Sequence, residues 1–196
     1  MLTIKNNQID IENKNLICNI EYLTIQNTSN NNLITYINKT MREDILAFKQ
    51  VNIDNYLENK HNLLILANYE ITLNKNNLIS IPIVFSESEK YSRLINYINT
   101  YNYDINKNKK IELRDIFKNK FNYTSYINNL IEKQIDTPFR GILQDQTFYI
   151  TSDSLVICFS SYELDTLYSG IQEFEIKFKE IEENLSEYTK TQIMED

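Results

Sequence analysis

The residues best suited to catalysis are few in this chain of 196 residues, and they lie far apart in the sequence. His61 is the only histidine, and Cys18 and Cys158 are the only cysteines. A thiol nucleophile needs a histidine base beside it, and a zinc site needs about four Cys or His ligands. His61 lies in a polar turn, and each cysteine lies in an apolar run typical of buried free thiols. We therefore expect neither a Cys–His catalytic pair nor a zinc site.

Carboxylate pairs are the other candidates for acid–base chemistry. Asp104 with Asp115, or Asp145 with Asp153, could converge across a sheet. The chain has 27 acidic residues, so surface charge is the favoured interpretation of both pairs. There is no HExxH, GxGxxG or P-loop motif, and two glycines cannot build a loop that cradles phosphate. We predict that the chain is not an enzyme and has no cofactor and no metal.

The net charge of −7 disfavours nucleic-acid binding, because phosphate contacts need a basic surface. An acidic surface could steer a basic protein partner, or it could only keep the protein in solution. Ile, Asn, Lys and Tyr are abundant, as in AT-rich genomes, so short Asn runs are interpreted as turns and helix caps. No signal peptide and no membrane-spanning segment are visible, which leaves the location open.

Hydrophobic periodicity predicts the elements that would carry these residues. The chain is expected to form strands and two amphipathic helices in the following order: strand 15–26, preceded by a shorter strand near residues 2–4; helix 30–50; hairpin strands 63–73 and 78–85; strand 94–105; helix 114–135, broken near Asn122; hairpin strands 148–150 and 155–159; and strand 173–179. Pro82 suggests an edge strand or a bulge. The order favours an α+β fold, with a mainly antiparallel sheet and two amphipathic helices packed on it.

Possible contacts with a partner are a tyrosine stripe and one acidic residue. Tyr97, Tyr101 and Tyr103 alternate along one face of the predicted strand 94–105. No Trp or basic residues accompany them, so core packing or a protein interface is favoured over binding of sugar or nucleic acid. Glu163 lies between two apolar stretches and could bind a cation of a partner or pair within the fold.

Three sequence blocks carry a resemblance to a known family. They are Tyr103–Ile105 with Lys110–Phe117, then Phe148–Phe159, and finally Tyr162–Leu164 with Tyr168–Gly170 and Phe174–Phe178. In order and spacing they resemble the extracytoplasmic domain of anti-sigma-V factors (RsiV). The same domain precedes the catalytic domain of some peptidoglycan deacetylases as a non-catalytic region. The resemblance suggests an N-terminal strand–helix portion (1–62), an RsiV-like portion (63–183) and an acidic tail (184–196), expected to form one compact unit.

The resemblance also implies roles for individual residues and for the whole chain. Phe148 and Phe159 should be structural, and Gly170 should adopt a positive φ that other residues resist. The family's loop rich in Gly and containing His corresponds here to residues 86–93, which have neither. The implied function is a non-catalytic protein-binding module of the cell envelope, as in the lysozyme-sensing RsiV domain. The alternative is a self-assembling structural subunit of a spore coat or spore surface appendage.

Overall fold

The computed structural model describes residues 1–27, 29–59, 62–89, 92–164 and 170–194. His61, the one histidine considered for catalysis, lies outside these residues. Seven strands form a large sheet, and α1 connects the second of them to the third. Their bounds are β1 (Ile4–Asn13), β2 (Leu16–Ile25), α1 (Asn32–Asn59), β3 (Leu63–Tyr69), β4 (Leu73–Lys75), β5 (Leu78–Glu89), β6 (Ile95–Asp104) and β7 (Lys109–Lys110).

The large sheet has the order β1-β2-β3-β5-β6-β7, and β4 pairs with β5. Only the β2–β3 pair is parallel, because α1 carries the chain across the sheet between these two strands. The other pairs are antiparallel. The predicted α+β class with a mainly antiparallel sheet is confirmed.

The rest of the chain forms a second, three-stranded sheet with the order β10-β9-β8, together with short helices. The bounds of these elements are α2 (Leu113–Ile116), α3 (Tyr123–Glu132), β8 (Phe148–Ile150), β9 (Ser154–Phe159), β10 (Gln172–Lys177), two 3-10 helices (Phe178–Glu180 and Glu182–Asn184), α4 (Glu187–Thr189) and a π-helix (Lys190–Met194). The predicted second helix is therefore two helices, and Asn122 marks the break. Its side chain caps α3 by accepting a hydrogen bond from Ser125 N–H at 3.2 Å.

Helix α1 packs on one face of the large sheet. Its start is fixed by Asn31, whose Oδ1 accepts hydrogen bonds from the backbone N–H groups of Leu33 (2.8 Å) and Ile34 (3.2 Å). The apolar residues at helical spacing are buried against the odd-numbered residues of β5 and β6: Ile34, Ile37, Met41 and Ile45. This layer follows from the hydrophobic periodicity of the sequence.

The opposite face of the large sheet meets β8 of the small sheet through buried polar side chains. Ser80 Oγ donates to Asn102 Oδ1 at 2.7 Å and accepts the N–H of Ile150 at 2.9 Å. Asn102 Nδ2 donates to the Phe148 carbonyl at 2.7 Å. Ser80 and Asn102 are almost fully buried, so β8 is held to the large sheet by hydrogen bonds that water cannot replace.

A second core lies between the small sheet and the short helices. It includes Phe148 and Phe159, two of the residues predicted to be structural, and both are buried there. The C-terminal segment contributes Leu185 and Ile193 to the same core. Residues 184–194 therefore pack on the body of the protein through apolar side chains.

Two local expectations need correction, and of the two alternatives expected at Pro82 the structure has the bulge. Residues 86–93 were expected to form a loop. Instead, β5 continues to Glu89, and its residues 86–89 pair with residues 63–66 of β3. Pro82 lies in an interior strand, not at an edge. The structure has a bulge opposite it, because residues 70–72, between β3 and β4, face only residues 81 and 82 of β5. The ladder of hydrogen bonds between β5 and its partners is already interrupted at this bulge, so the missing N–H of Pro82 is tolerated.

Gly170 does not have the positive φ expected from the family resemblance. The glycine with a positive φ is Gly141, at +89°. A Cβ added to Gly141 would lie 2.8 Å from Asn128 Nδ2, whereas a Cβ on Gly170 would meet no atom within 4 Å. Gly141 is thus the position where the backbone requires glycine.

Candidate binding cleft

A cleft of about 670 Å³ opens between α1, the outer edge of β6 and the segments that lead into α2 and β8. We call it the α1–β6 cleft. Helix α1 forms one wall, residues 99–103 of β6 form the floor, and residues 110–114 and 144–148 with Tyr123 form the other wall. The helix contributes Tyr36, Thr40 and Asp44.

The floor of the cleft is fixed to the helical wall by one short hydrogen bond. Tyr101 O–H donates to Asp44 Oδ2 at 2.6 Å. Burial, and then the hydrogen bond to Asp44, raise the pKa of Tyr101 well above its ordinary value. Burial also raises the pKa of Tyr103 to about 12. Both phenols therefore stay neutral at physiological pH, and the charge on the floor is that of the Asp44 carboxylate.

The walls carry aromatic rings and polar groups that solvent can reach. Tyr36 is 55% exposed on α1, and Tyr123 is half-buried across the cleft on α3. Glu112 and Arg114 on the rim form an ion pair with each other. Asp145 is exposed on the same rim. Such a mixture of tyrosine rings and hydrogen-bonding groups is typical of surfaces that bind another protein.

Two of the tyrosines predicted to contact a partner line this cleft, and the third lies outside it. Tyr101 and Tyr103 are almost fully buried in the floor. Tyr97 is 39% exposed, and its O–H donates to Glu87 Oε1 at 2.9 Å. Burial and the bond to Glu87 raise the pKa of Tyr97 to about 12. The stripe thus divides into a buried pair and one exposed ring.

Glu163 makes contacts within the fold. Its Oε2 accepts the N–H of Ser160 at 2.7 Å, and its Oε1 accepts Gln146 Nε2 at 3.1 Å. Gln146 in turn donates to the carbonyl of Cys158 at 2.8 Å. The carboxylate therefore holds the loop after β9 against the segment that leads into β8.

Among the residues that the structure describes, the two cysteines lie in separate buried clusters and not in one site. Cys18 and Cys158 are free, buried thiols, as expected. Burial raises the pKa of both thiols, which keeps them protonated and poorly nucleophilic. In the described part of the chain, no group of three or more His, Cys, Asp or Glu side chains could hold a metal ion. No helix among these residues is long and apolar enough to span a membrane.

The carboxylates considered for acid–base chemistry have structural contacts instead. Asp104 is buried and accepts hydrogen bonds from Tyr188 O–H at 2.8 Å and Lys107 N–H at 2.9 Å. Asp115 accepts Glu112 N–H at 2.9 Å at the start of α2. Asp104 thereby ties the C-terminal helices to the turn after β6, because Tyr188 belongs to α4.

Asp145 and Asp153 are separated by β8. Asp145 lies on the rim of the cleft, whereas Asp153 lies in the turn between β8 and β9. Hydrogen bonds from Thr151, Ser154 and Lys177 lower the pKa of Asp153. Asp145 and Asp153 are both exposed and do not converge, which agrees with the favoured interpretation of this pair as surface charge.

Tyr36, Asp44 and Tyr123 are among the residues of the cleft that the sequence did not single out. Tyr36 and Asp44 lie eight residues apart on α1, a spacing that puts both on one side of a helix. The sequence spacing therefore shows that Tyr36 and Asp44 share a side of α1, but nothing in the sequence indicates that this side lies beside Tyr101. That relation depends on the crossover of α1 over the sheet.

Residues 114–179 match the model of a family described as protein of unknown function (DUF3298). This part of the chain is therefore similar to the DUF3298 family. The match covers about a third of the chain and includes α2, α3 and the three strands of the small sheet. Within the sequence, 40 residues are 58% identical to the anti-sigma-V factor RsiV of Bacillus subtilis (strain 168). That alignment covers 20% of this chain and 14% of RsiV, and it confirms the resemblance to RsiV.

Two crystal structures of DUF3298 proteins have the same fold. The protein from Bacteroides fragilis NCTC 9343 has a TM-score of 0.67 and 14% sequence identity, with 99% of this chain and 97% of that chain covered. The protein from Pseudomonas aeruginosa PAO1 has a TM-score of 0.68 and 10% identity, with 95% of each chain covered. The fold around the matched region is therefore shared over nearly the full length. Neither the family description nor the name of RsiV is that of an enzyme.

Proposed function

We propose that this chain is a non-catalytic protein-binding module of the cell envelope, and that its α1–β6 cleft receives the partner. The observation that carries the proposal is the cleft itself, in which the exposed ring of Tyr36 and the half-buried ring of Tyr123 lie on opposite walls. Tyrosine rings in a cleft bury much surface at little entropic cost, which makes them frequent contributors to binding energy. The sequence match to RsiV supports a regulatory or sensing role.

The partner we expect is a basic protein, and lysozyme is the first probe to use. The charge of −7 would steer a cationic protein towards the surface. The reactive groups favour binding over catalysis, because both thiols are buried and protonated and Glu163 is used inside the fold. A binding module needs no further chemistry.

Isothermal titration calorimetry with lysozyme tests this function, with cytochrome c as a control of similar size and basic charge. We expect heat with lysozyme and none with cytochrome c. Tyr36→Ala and Tyr123→Ala should each weaken binding about tenfold, the loss of roughly 1.4 kcal/mol. Tyr162→Ala is the matched control, because Tyr162 is 43% exposed outside the cleft. No heat at about 1 mM protein would exclude lysozyme as the partner.

Self-assembly is the second candidate, and the edge strand β1 favours it. β1 is ten residues long and pairs only with β2 among the described strands. An open edge of this length can pair with another copy. Lys5, Asp10 and Glu12 are exposed on β1, and such charges oppose edge pairing. Light scattering at rising concentration decides, since a constant monomer mass rules out assembly through this edge.

A further inference from the structure

The outer edge of β6 has a gap at Thr100. Pro82 of β5 lies opposite Thr100 in the register, and the Pro82 carbonyl accepts the N–H of Glu70 at 3.1 Å on the side away from β6. In an antiparallel pair, residues alternate between bonding to the neighbouring strand and facing away from it. Pro82 faces away from β6, so Thr100 faces away from β5. The N–H and C=O of Thr100 therefore point outward from the sheet.

One end of this outer edge is already covered. The N–H of Asn96 donates to Ser161 Oγ at 2.9 Å, and its carbonyl accepts Ser161 N–H at 2.8 Å. The N–H of Ile98 donates to Ser160 Oγ at 3.2 Å. The loop after β9 thus takes the place of a neighbouring strand along the first part of β6.

The other end is also covered, and the gap lies between the two. The Asn102 carbonyl accepts Ile111 N–H at 2.8 Å, and Asp104 pairs with Lys109 of β7. For the backbone N–H and C=O of Thr100, no partner lies among the residues that the structure describes. From Ile98 to Asn102 the open edge is about 13 Å long, at roughly 3.3 Å per residue. Thr100 lines the α1–β6 cleft, so the gap opens into it.

We propose that the α1–β6 cleft binds an extended segment of a partner protein, which adds a short strand to β6 at Thr100. The proposal rests on the protein-binding function and names how the partner is held. An outward N–H and C=O on one residue fit the donor and acceptor of an extended backbone about 4.8 Å away. The length of the gap suits three or four residues of the added strand. Natural proteins usually cover such edges, and along the outer edge of β6, among the described residues, the cover is missing only at Thr100, within the cleft.

The side chains around the gap favour a segment that contains Lys or Arg. Asp44 and Asp145 line the cleft, and neither is in an ion pair with a described residue. Arg114 is neutralised by Glu112, which leaves Lys110 as the opposing charge. A basic side chain in the added strand would meet the Asp44 carboxylate beside the floor. Charge complementarity then adds to the backbone hydrogen bonds.

Selection from a phage-displayed library of random peptides of about nine residues tests the proposal. We expect the wild-type chain to recover peptides that contain Lys or Arg and bind with micromolar affinity in calorimetry. Thr100→Pro should weaken them at least about tenfold, because proline removes the outward N–H that the added strand needs. Thr100→Ser keeps that N–H and should bind as the wild type does. Proline is tolerated on strand edges, so Thr100→Pro should keep the wild-type circular dichroism spectrum.

Hydrogen exchange on the wild-type chain gives a second readout that does not depend on the folding of Thr100→Pro. The Thr100 amide should exchange quickly in the free protein and at least about tenfold more slowly with a saturating selected peptide. Asp145→Asn should weaken the peptide about threefold, and Glu180→Gln, an exposed control outside the cleft, should not. Unchanged exchange at Thr100, or equal binding by a folded Thr100→Pro variant, would overturn strand addition.

The lysozyme titration separates this proposal from the proposed function. Lysozyme binding that Thr100→Pro leaves intact would retain the protein-binding module and reject strand addition. Peptide binding that depends on Thr100, without lysozyme binding, would retain strand addition and reject lysozyme as the partner. An empty peptide selection together with no heat from lysozyme would reject both.

Discussion

The two faces of the large sheet are held in different ways. Beneath α1 the contacts are mainly apolar, because the helix buries Ile34, Ile37 and Met41 against β2, β3, β5 and β6. Asn38 and Asp44 of the helix add hydrogen bonds to Ile25 and Tyr101 of the sheet. On the opposite face, Ser80 and Asn102 bind the backbone of β8. Apolar packing tolerates small shifts, whereas buried hydrogen bonds fix both distance and direction. The second face therefore sets the position of the small sheet, and with it the wall of the α1–β6 cleft.

Truncating the apolar face should have the largest effect on stability. We expect Ile37→Ala to lower the free energy of unfolding by about 4 kcal/mol, because a fully buried side chain is replaced by a cavity. Leu46→Ala is the matched control on the same helix, where the side chain is 37% exposed, and should cost less than about 1 kcal/mol. Urea unfolding measures both. Equal losses would show that α1 is not anchored through Ile37.

Removing the buried hydrogen bonds of Asn102 on the other face should lower the stability somewhat less. We expect Asn102→Ala to lower the free energy of unfolding by about 3 kcal/mol, since the Phe148 carbonyl and the Ser80 hydroxyl lose a partner. In a double-mutant cycle, Ser80→Ala and Asn102→Ala should be strongly non-additive. Additive losses would mean that the two side chains act independently and that no network joins the sheets.

The same contrast explains what the sequence could predict. The helical spacing of Ile34, Ile37 and Met41 predicts α1, and the alternation around Tyr97 to Tyr103 predicts β6 and its face. Both patterns come from neighbouring residues. The pairing of Ser80 with Asn102 and the position of Asp44 beside Tyr101 depend on residues that are far apart in the sequence. Polar residues at such positions resemble surface residues in a linear pattern, so the cleft could not be assembled from it.

A smaller effect on stability is expected at the two glycines. The family resemblance assigned a positive φ to Gly170, whereas the structure has it at Gly141. Gly141→Ala should lower the free energy of unfolding by about 2 kcal/mol, because φ is +89° and the new Cβ would lie 2.8 Å from Asn128. Gly170→Ala should leave the free energy of unfolding unchanged or raise it by about 0.5 kcal/mol, since the site is open and φ is not positive. Thermal melting compares the two variants. A larger loss at Gly170 would restore the role that the family resemblance implied.

The smallest expected effect is the pH dependence that Tyr101 adds to the apolar face. Its folded-state pKa is raised far above the unfolded value of about 10, so its contribution is complete below about pH 10 and is lost as the pH rises further. From about pH 8 to about pH 10.5, Tyr101 should account for a loss of about 1 kcal/mol.

In Tyr101→Phe, the free energy of unfolding should fall less between these two pH values than in the wild type. The variant should also be less stable at neutral pH, because Asp44 loses its partner. Tyr36→Phe is the matched control, since its ring lines the same cleft from the α1 wall and is 55% exposed. Urea unfolding at both pH values separates the two effects. An alkaline slope that Tyr101→Phe leaves unchanged would mean that the phenol reaches water in the folded state, and that the cleft floor is more open than the hydrogen bond to Asp44 implies.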